Sequence, residues 1–384
     1  MRARSRYVAA ALVAALMTMS AAACGGREET HEDGFTVGLL LPGRVLPRWE
    51  QFDKPLIEKR LKELCPRCRT AYANADNDPA RQRQQMTSMI TKGVRVLILD
   101  AADPKVLRSS IEEAHQAGVP VVAYDRLAEG PISGFVSFDG AQVGRLQAEY
   151  LLRAMGDRAH GGNVVMMNGD PTDRNAAWFK KGALSVLTGK VKIDRSYDTQ
   201  GWSTENAHAN MSAALAAQNP ERIDGVLAVN DAVAAGVISA FKGAHVRTLP
   251  PVTGQDADLD AVRRIVKGEQ YMTVYKPFRA EADAAAAMAV TLGRGGDPRK
   301  LATTVIDSPT TKHIPSVLLT PRAVTAGTIE QTLVKDGVYT LDRICTRQLQ
   351  GLPPCPGSRA PVGSQARDRP ASRNGGDVRS APRP

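Results

Sequence analysis

Apolar positions along the chain fall into two alternating rhythms. Residues 35–41 form a short continuous apolar run, and the pattern recurs at 70–73, 94–99 and 119–124. Between these runs the spacing turns helical, over about 49–64, from Asp78-Pro79 to Gly93, and from Asp103-Pro104 to Gly118. Asp followed by Pro is a preferred helix start, and glycine a preferred stop. Unbroken Val/Ile/Leu runs joined by helices predict a parallel sheet covered on both faces. The rhythm restarts after Asp139, with strands predicted at 163–167, 191–197 and 225–229 and helices over 141–155, 175–187, 204–218 and 232–241. Two α/β units in series are therefore expected.

Residues 252–278 close the second unit and organise the rest. Val252 to Asp256 reads as a short β-type run ending on a carboxylate. Leu259, Val262, Ile265 and Val266 follow at helical spacing, and 271–275 alternates as a strand stopping at Lys276-Pro277. A carboxylate and an ammonium at the ends of two parallel strands face one crevice. The alanine-rich helix from Phe278 has no partner strand in the second unit and is free to cover the first. A final helix is expected near 328–335.

The chain has 384 residues and a formal net charge of +10. Arg2, Arg4, Arg6 and six arginines between Arg359 and Arg383 hold most of that excess, so the body is only weakly basic and a nucleic-acid role is not expected. Three arginines, an apolar run over 7–19 and the small residues Ser20 to Ala23 read as a signal segment, 1–23. This junction resembles the bacterial lipoprotein box. That resemblance implies lipidation of Cys24, with 24–34 as a tether. From Leu352 to the last residue, Pro, Arg, Ser and Gly dominate, and 352–384 reads as a disordered basic tail. Cys65, Cys68, Cys345 and Cys355 remain. Three pairings are open, and two local disulfides are the expectation. The Cys65-Pro66-Arg67-Cys68 motif follows a helix instead of starting one, which argues against redox work. The spacing of Cys345 and Cys355 argues against zinc.

Where strands stop, polar and planar groups gather: Arg48-Trp49, Tyr124-Asp125-Arg126, Asp173-Arg174-Asn175, Gly201-Trp202, Asn230-Asp231, Asp256 and Lys276. Hydroxyls both donate and accept, so carboxylates and amides beside Arg and Lys suit a polyol or sugar. The chain has three tryptophans. Two stand at these positions, where flat rings can cover the apolar faces of a sugar ring.

Several stretches carry a family likeness: Arg48-Trp49-Glu50, Ala123-Tyr124-Asp125-Arg126, Val136-Ser137-Phe138-Asp139, Asp173-Arg174-Asn175-Ala176, Gly201-Trp202, Asn230-Asp231-Ala232, Gly254-Gln255-Asp256-Ala257-Asp258-Leu259 and Met272-Thr273-Val274-Tyr275-Lys276-Pro277. From about residue 35 to 344 the chain resembles the bacterial xylose-binding proteins of the type I periplasmic sugar-binding family of ABC transporters. Arg174 and the Asn168-Gly169-Asp170 loop depart from the family pattern. The resemblance implies two doubly wound parallel-sheet lobes joined by a three-segment hinge. Residues 35–138 and 277–305 would form the N-terminal lobe and 139–276 with 306–346 the C-terminal lobe, with crossings near 138–139, 275–277 and 305–308. It implies that Arg48, Arg126, Asp173, Asn175, Asn230, Asp256 and Lys276 hydrogen-bond a monosaccharide, and that Trp49 and Trp202 sandwich its ring. An aldopentose ligand, an ABC permease partner, no cofactor, no metal and a monomeric state follow as expectations. A sensor subunit for a membrane kinase is the alternative. A DNA-binding repressor lacks its N-terminal helical module here. A glycosidase built on Asp256 with Asp258 or Asp260 would need carboxylates facing across a bond, which i, i+2 spacing does not give.

Overall fold

The computed structural model describes residues 34–44, 46–217 and 219–356. The expected signal segment, Cys24, the tether up to residue 33 and tail residues 357–384 lie outside the described residues.

The first lobe opens with β1 (Thr36–Leu41), a π-helical turn (Trp49–Asp53) that runs directly into α1 (Lys54–Leu64), and β2 (Arg69–Asn74). Then come α2 (Pro79–Thr91), β3 (Val96–Leu99), α3 (Arg108–Gln116), β4 (Val121–Tyr124) and β5 (Gly134–Phe138). The chain crosses to the second lobe for α4 (Gly140–Met155), β6 (Asn163–Met167), α5 (Arg174–Leu187), β7 (Lys192–Tyr197) and α6 (Thr204–Ala217). That lobe continues with β8 (Gly225–Ala228), α7 (Asp231–Gly243), α8 (Leu259–Val266) and β9 (Met272–Tyr275). The chain returns for α9 (Phe278–Gly293), β10 (Thr304–Ile306) and β11 (Ile314–Leu319). It crosses a third time into β12 (Arg322–Thr325), a π-helical turn (Glu330–Val334) and α10 (Leu341–Ile344).

Seven strands form the first sheet in the order β10-β11-β5-β4-β3-β1-β2, parallel except for the β10–β11 pair. Every residue of β3 and β4 is buried, because α1 and α9 cover one face and α2 and α3 the other. This is why these strands read as unbroken apolar runs. In the second lobe β7-β6-β8 and β12-β9 form separate ladders. The segment expected as a β-type run makes only two bridges, Val226 with Val252 and Gln255 with Val274, and these tie the ladders together. Both units are α/β, as expected, with parallel ladders except for the antiparallel β10–β11 and β12–β9 pairs, and α9 does cover the first lobe.

Two boundaries differ from expectation. The third crossing was expected near 305–308 but falls at Thr320-Pro321. Ser316 to Leu319 pair in parallel with Phe135 to Phe138, so β10 and β11 complete the first sheet before the chain leaves. The basic tail does not begin at Leu352. Cys355 is disulfide-bonded to Cys345 and buried beside Tyr339, Ile344 and Leu349, which fixes the chain to at least Pro356. The other bond joins Cys65 to Cys68. Both disulfides are local.

Candidate functional site between the lobes

Strand ends and helix starts of both lobes converge on one narrow pocket. Trp49, Arg126, Asp173, Asn175, Trp202, Asn230, Asp256 and Lys276 all line it, so the structure brings together eight of the nine residues singled out in the sequence. Arg48 stands directly behind. Its fully buried guanidinium donates to Asp53 through Nε and Nη2 (2.9 and 2.7 Å), to Glu281 through Nη2 (2.6 Å) and to Asp125 through Nη1 (3.0 Å). That Nη1 also lies 3.8 Å from Asp256 Oδ1. Larger hollows exist, such as one of about 1130 Å³ near Arg158, His245 and Arg247. It lies at the opposite ends of the second lobe's strands, away from these side chains.

Local structure places each group. Asp173 and Asn230 cap α5 and α7, their side chains accepting from the N–H groups of Asn175 (2.9 Å) and Val233 (2.9 Å). A helix cap holds a side chain in one orientation at a helix start, so the remaining polar atom of each is aimed. Asp125 (φ 55°), Trp202 (φ 55°), Asp256 (φ 92°) and Ala257 (φ 54°) all adopt left-handed backbone. Such conformations are costly for residues with a Cβ and cluster at binding sites where the surroundings enforce them. Asp170 enforces one, accepting from the Gly201 N–H just before Trp202.

Gly169 fits against the Trp202 ring. A Cβ there would lie 2.2 Å from the ring's Cη2. Gly169→Ala is therefore expected to push Trp202 out of place and weaken ligand binding about tenfold or more while far-UV circular dichroism stays unchanged. Unchanged affinity would show that the ring position does not matter.

The electrostatics centre on Asp125, which sequence reading places at a strand end without assigning it a contact. Burial alone raises its pKa, but Lys276, Arg48 and Arg126 outweigh burial and bring it down to about 2. Lys276 Nζ lies 3.1 Å from Asp125 Oδ2 and 3.1 Å from Asp256 Oδ1. The second approach is an ion pair off the line of a hydrogen bond, since neither oxygen of Asp256 has a hydrogen-bond partner. Burial works against the charge of Lys276, and the two carboxylates more than offset it, raising its pKa. Across the lobes, Arg126 Nε forms an ion pair with Asp173 Oδ2 (3.0 Å), and Asn175 Nδ2 donates to the carbonyl and Oδ1 of Asp125 (both 3.1 Å). Asn230 Nδ2, Gln255 Oε1 and Trp202 Nε1 are also buried without partners. Leu46, Phe179 and Gln255 complete the lining. None carries a sequence signal, because each matters only through where the fold puts it.

Glu281 is pushed up to about 8 by burial, despite Arg48. The folded chain keeps that proton where the unfolded chain releases it, so this contribution to stability is full below about pH 4.5 and fades as pH rises toward 8. Glu281→Gln is expected to flatten the fall in Tm between pH 5 and 8. An unaltered slope in thermal denaturation would exclude the role.

Two α/β lobes joined by three crossings around a polar pocket define a periplasmic binding protein. The chain belongs to that family: the periplasmic binding protein domain matches residues 37–297. It is 37% identical to the D-xylose-binding periplasmic protein of Escherichia coli, covering 80% of this chain and 92% of that one. It is 35% identical to the D-xylose-binding periplasmic protein of Haemophilus influenzae, covering 86% and 98%. Among solved structures, an ABC transporter solute-binding protein from Clostridium phytofermentans with bound β-D-glucose superposes with a TM-score of 0.75 at 30% identity, covering 81% of this chain and 100% of that one.

Proposed function

We propose that this chain is an extracytoplasmic solute-binding protein that captures a monosaccharide, above all D-xylose, and delivers it to an ABC permease, held at the membrane by lipid on Cys24. The observation that carries the reading is the set of buried polar atoms that lack a hydrogen-bond partner around one pocket: both oxygens of Asp256, Nδ2 of Asn230 and Oε1 of Gln255. Buried polar atoms without partners are costly, and a ligand with several hydroxyls satisfies donors and acceptors alike. Trp49 and Trp202 line the cavity from opposite lobes and supply flat apolar faces.

The sugar touches both lobes only when they are closed. That differential contact shifts the population toward the closed form, and no bond of the sugar needs to break. Two of the named relatives are D-xylose-binding proteins and the solved neighbour holds glucose, so selectivity is the question for calorimetry with xylose, arabinose, ribose, glucose and galactose. D-Xylose at ~100 times its Kd is expected to stabilise the fold by about 2.7 kcal/mol. No heat and no thermal shift with any of the five would refute the reading.

A further inference from the structure

Asp100 follows β3 on the first lobe and is fully buried, yet neither of its carboxylate oxygens has a hydrogen-bond partner. Its near neighbour is Arg126, whose Nε lies 3.5 Å from Asp100 Oδ1 and closer, at 3.0 Å, to Asp173 Oδ2 on the second lobe, an ion pair in each case. Arg126 is held to the first lobe as well, since its Nη1 donates to the Ala101 carbonyl (3.1 Å). One guanidinium thus stands between two carboxylates. One carboxylate moves with it and the other belongs to the opposite lobe.

Resting on the two-lobe binding reading, we infer that Asp100 is the open-state partner of Arg126, a positioning residue that takes the guanidinium when the lobes part and releases it to Asp173 when they close. When the second lobe swings away, Asp173 leaves with α5, while the Ala101 bond keeps Arg126 beside Asp100. A buried carboxylate next to an unengaged guanidinium forms the charge-assisted bond that closure had denied it. On closure that bond is given up, and Asp100 is left in a dry site.

The groups facing Asp100 are Arg126 and Asp125 after β4, Asp173 at the start of α5, and Arg48 before the π-helical turn. From α2, Gln82 bonds only the Asp100 backbone carbonyl. In the closed arrangement burial raises the Asp100 carboxyl well above the usual range, and Arg126 offsets this only in part. Pairing with Arg126 in the open form favours the ionised carboxylate instead. Closure therefore takes one proton from solvent onto Asp100. Sugar affinity falls as pH rises above the open-form pKa, and the fall ends at the closed-form pKa.

Two measurements test this on the mature chain. Asp100→Asn keeps the side-chain shape and removes the charge. Its thermal unfolding reports that it folds, and Asp100→Ala serves as the second variant. Without sugar, a spin-label pair with one label per lobe is expected to shift toward shorter distances in Asp100→Asn, because the open form has lost its anchor. An unchanged distance distribution would overturn the inference. Calorimetry with D-xylose in buffers of different ionisation enthalpy is expected to show proton uptake by the unsubstituted chain. In Asp100→Asn that uptake should be lost and binding should be about tenfold tighter at pH 8. Weaker binding at every pH would instead make Asp100 a support of the closed site and overturn the exchange. If no sugar binds the unsubstituted chain, the binding reading fails, and the sugar-free distances still decide Asp100.

Discussion

Asp256→Ala is expected to lower sugar affinity on the order of a thousandfold, with the melting temperature of the sugar-free protein little changed. The carboxylate is 1% exposed, and both its oxygens face the cavity region without a hydrogen-bond partner. Each bond from a sugar hydroxyl to a charged acceptor is worth about 1.5–3 kcal/mol, so losing two gives roughly that factor. The fold survives because Lys276 keeps Asp125 at 3.1 Å. The 255–258 turn is also held without the Asp256 side chain. Asp231 donates its N–H to the Gln255 carbonyl (3.0 Å) and accepts from the Asp258 N–H (2.9 Å) and the Thr273 hydroxyl (3.0 Å). Calorimetry and thermal denaturation of the same preparation check both halves. Affinity within tenfold of the unsubstituted protein would remove Asp256 from the binding set.

Arg48→Met is expected to act on the other axis, destabilising the fold by about 3–5 kcal/mol. The guanidinium is wholly buried and is shared by Asp53, Asp125 and Glu281, while the Tyr124 hydroxyl also donates to Asp53. Methionine fills similar space but leaves three carboxylates with little compensation, and breaking one side of a buried ion cluster costs far more than an exposed pair. Lysine is not an adequate replacement, since an ammonium cannot reproduce the planar fork that meets Asp53 through two nitrogens. Adding Glu281→Gln to Arg48→Met should change stability little further near pH 7, because burial already keeps Glu281 protonated there. Denaturant unfolding of the single and double variants gives the comparison. A midpoint for Arg48→Met equal to that of the unsubstituted chain would show that the cluster contributes nothing.

The difference between these two residues shows what the sequence carries. Asp256 is legible because it ends a β-type run and faces Lys276 at the end of the next strand, and parallel sheets put such ends on one side. Arg48 is legible as a strand-end residue, but its surroundings are not. One partner is five residues away and another 233. No local pattern links positions so distant, and only the return of the chain through α9 brings Glu281 beneath the site. The first sheet shows the same divide. Strands β1, β3 and β4 announce themselves by unbroken apolar runs, as buried parallel strands do. Strand β11 does not, because Pro315 interrupts Ile314 to Leu319, and a proline argues against an interior strand. It is tolerated because Pro315 sits opposite Val305 of the three-residue edge strand β10, and parallel pairing with β5 begins only at Ser316. The crossing that the resemblance implies near 305–308 lies ahead of that strand, which the structure keeps in the first sheet.

The late position of β11 has a consequence for assembly. Its parallel partner β5 ends at Phe138, yet β11 itself ends at Leu319, so about 180 residues must be made between the two halves of one ladder. The N-terminal lobe is not complete when its own first 138 residues have emerged. It waits for the second-lobe segment between β5 and α9 to pass, and a chain cut anywhere before Leu319 lacks part of β11 and all of β12.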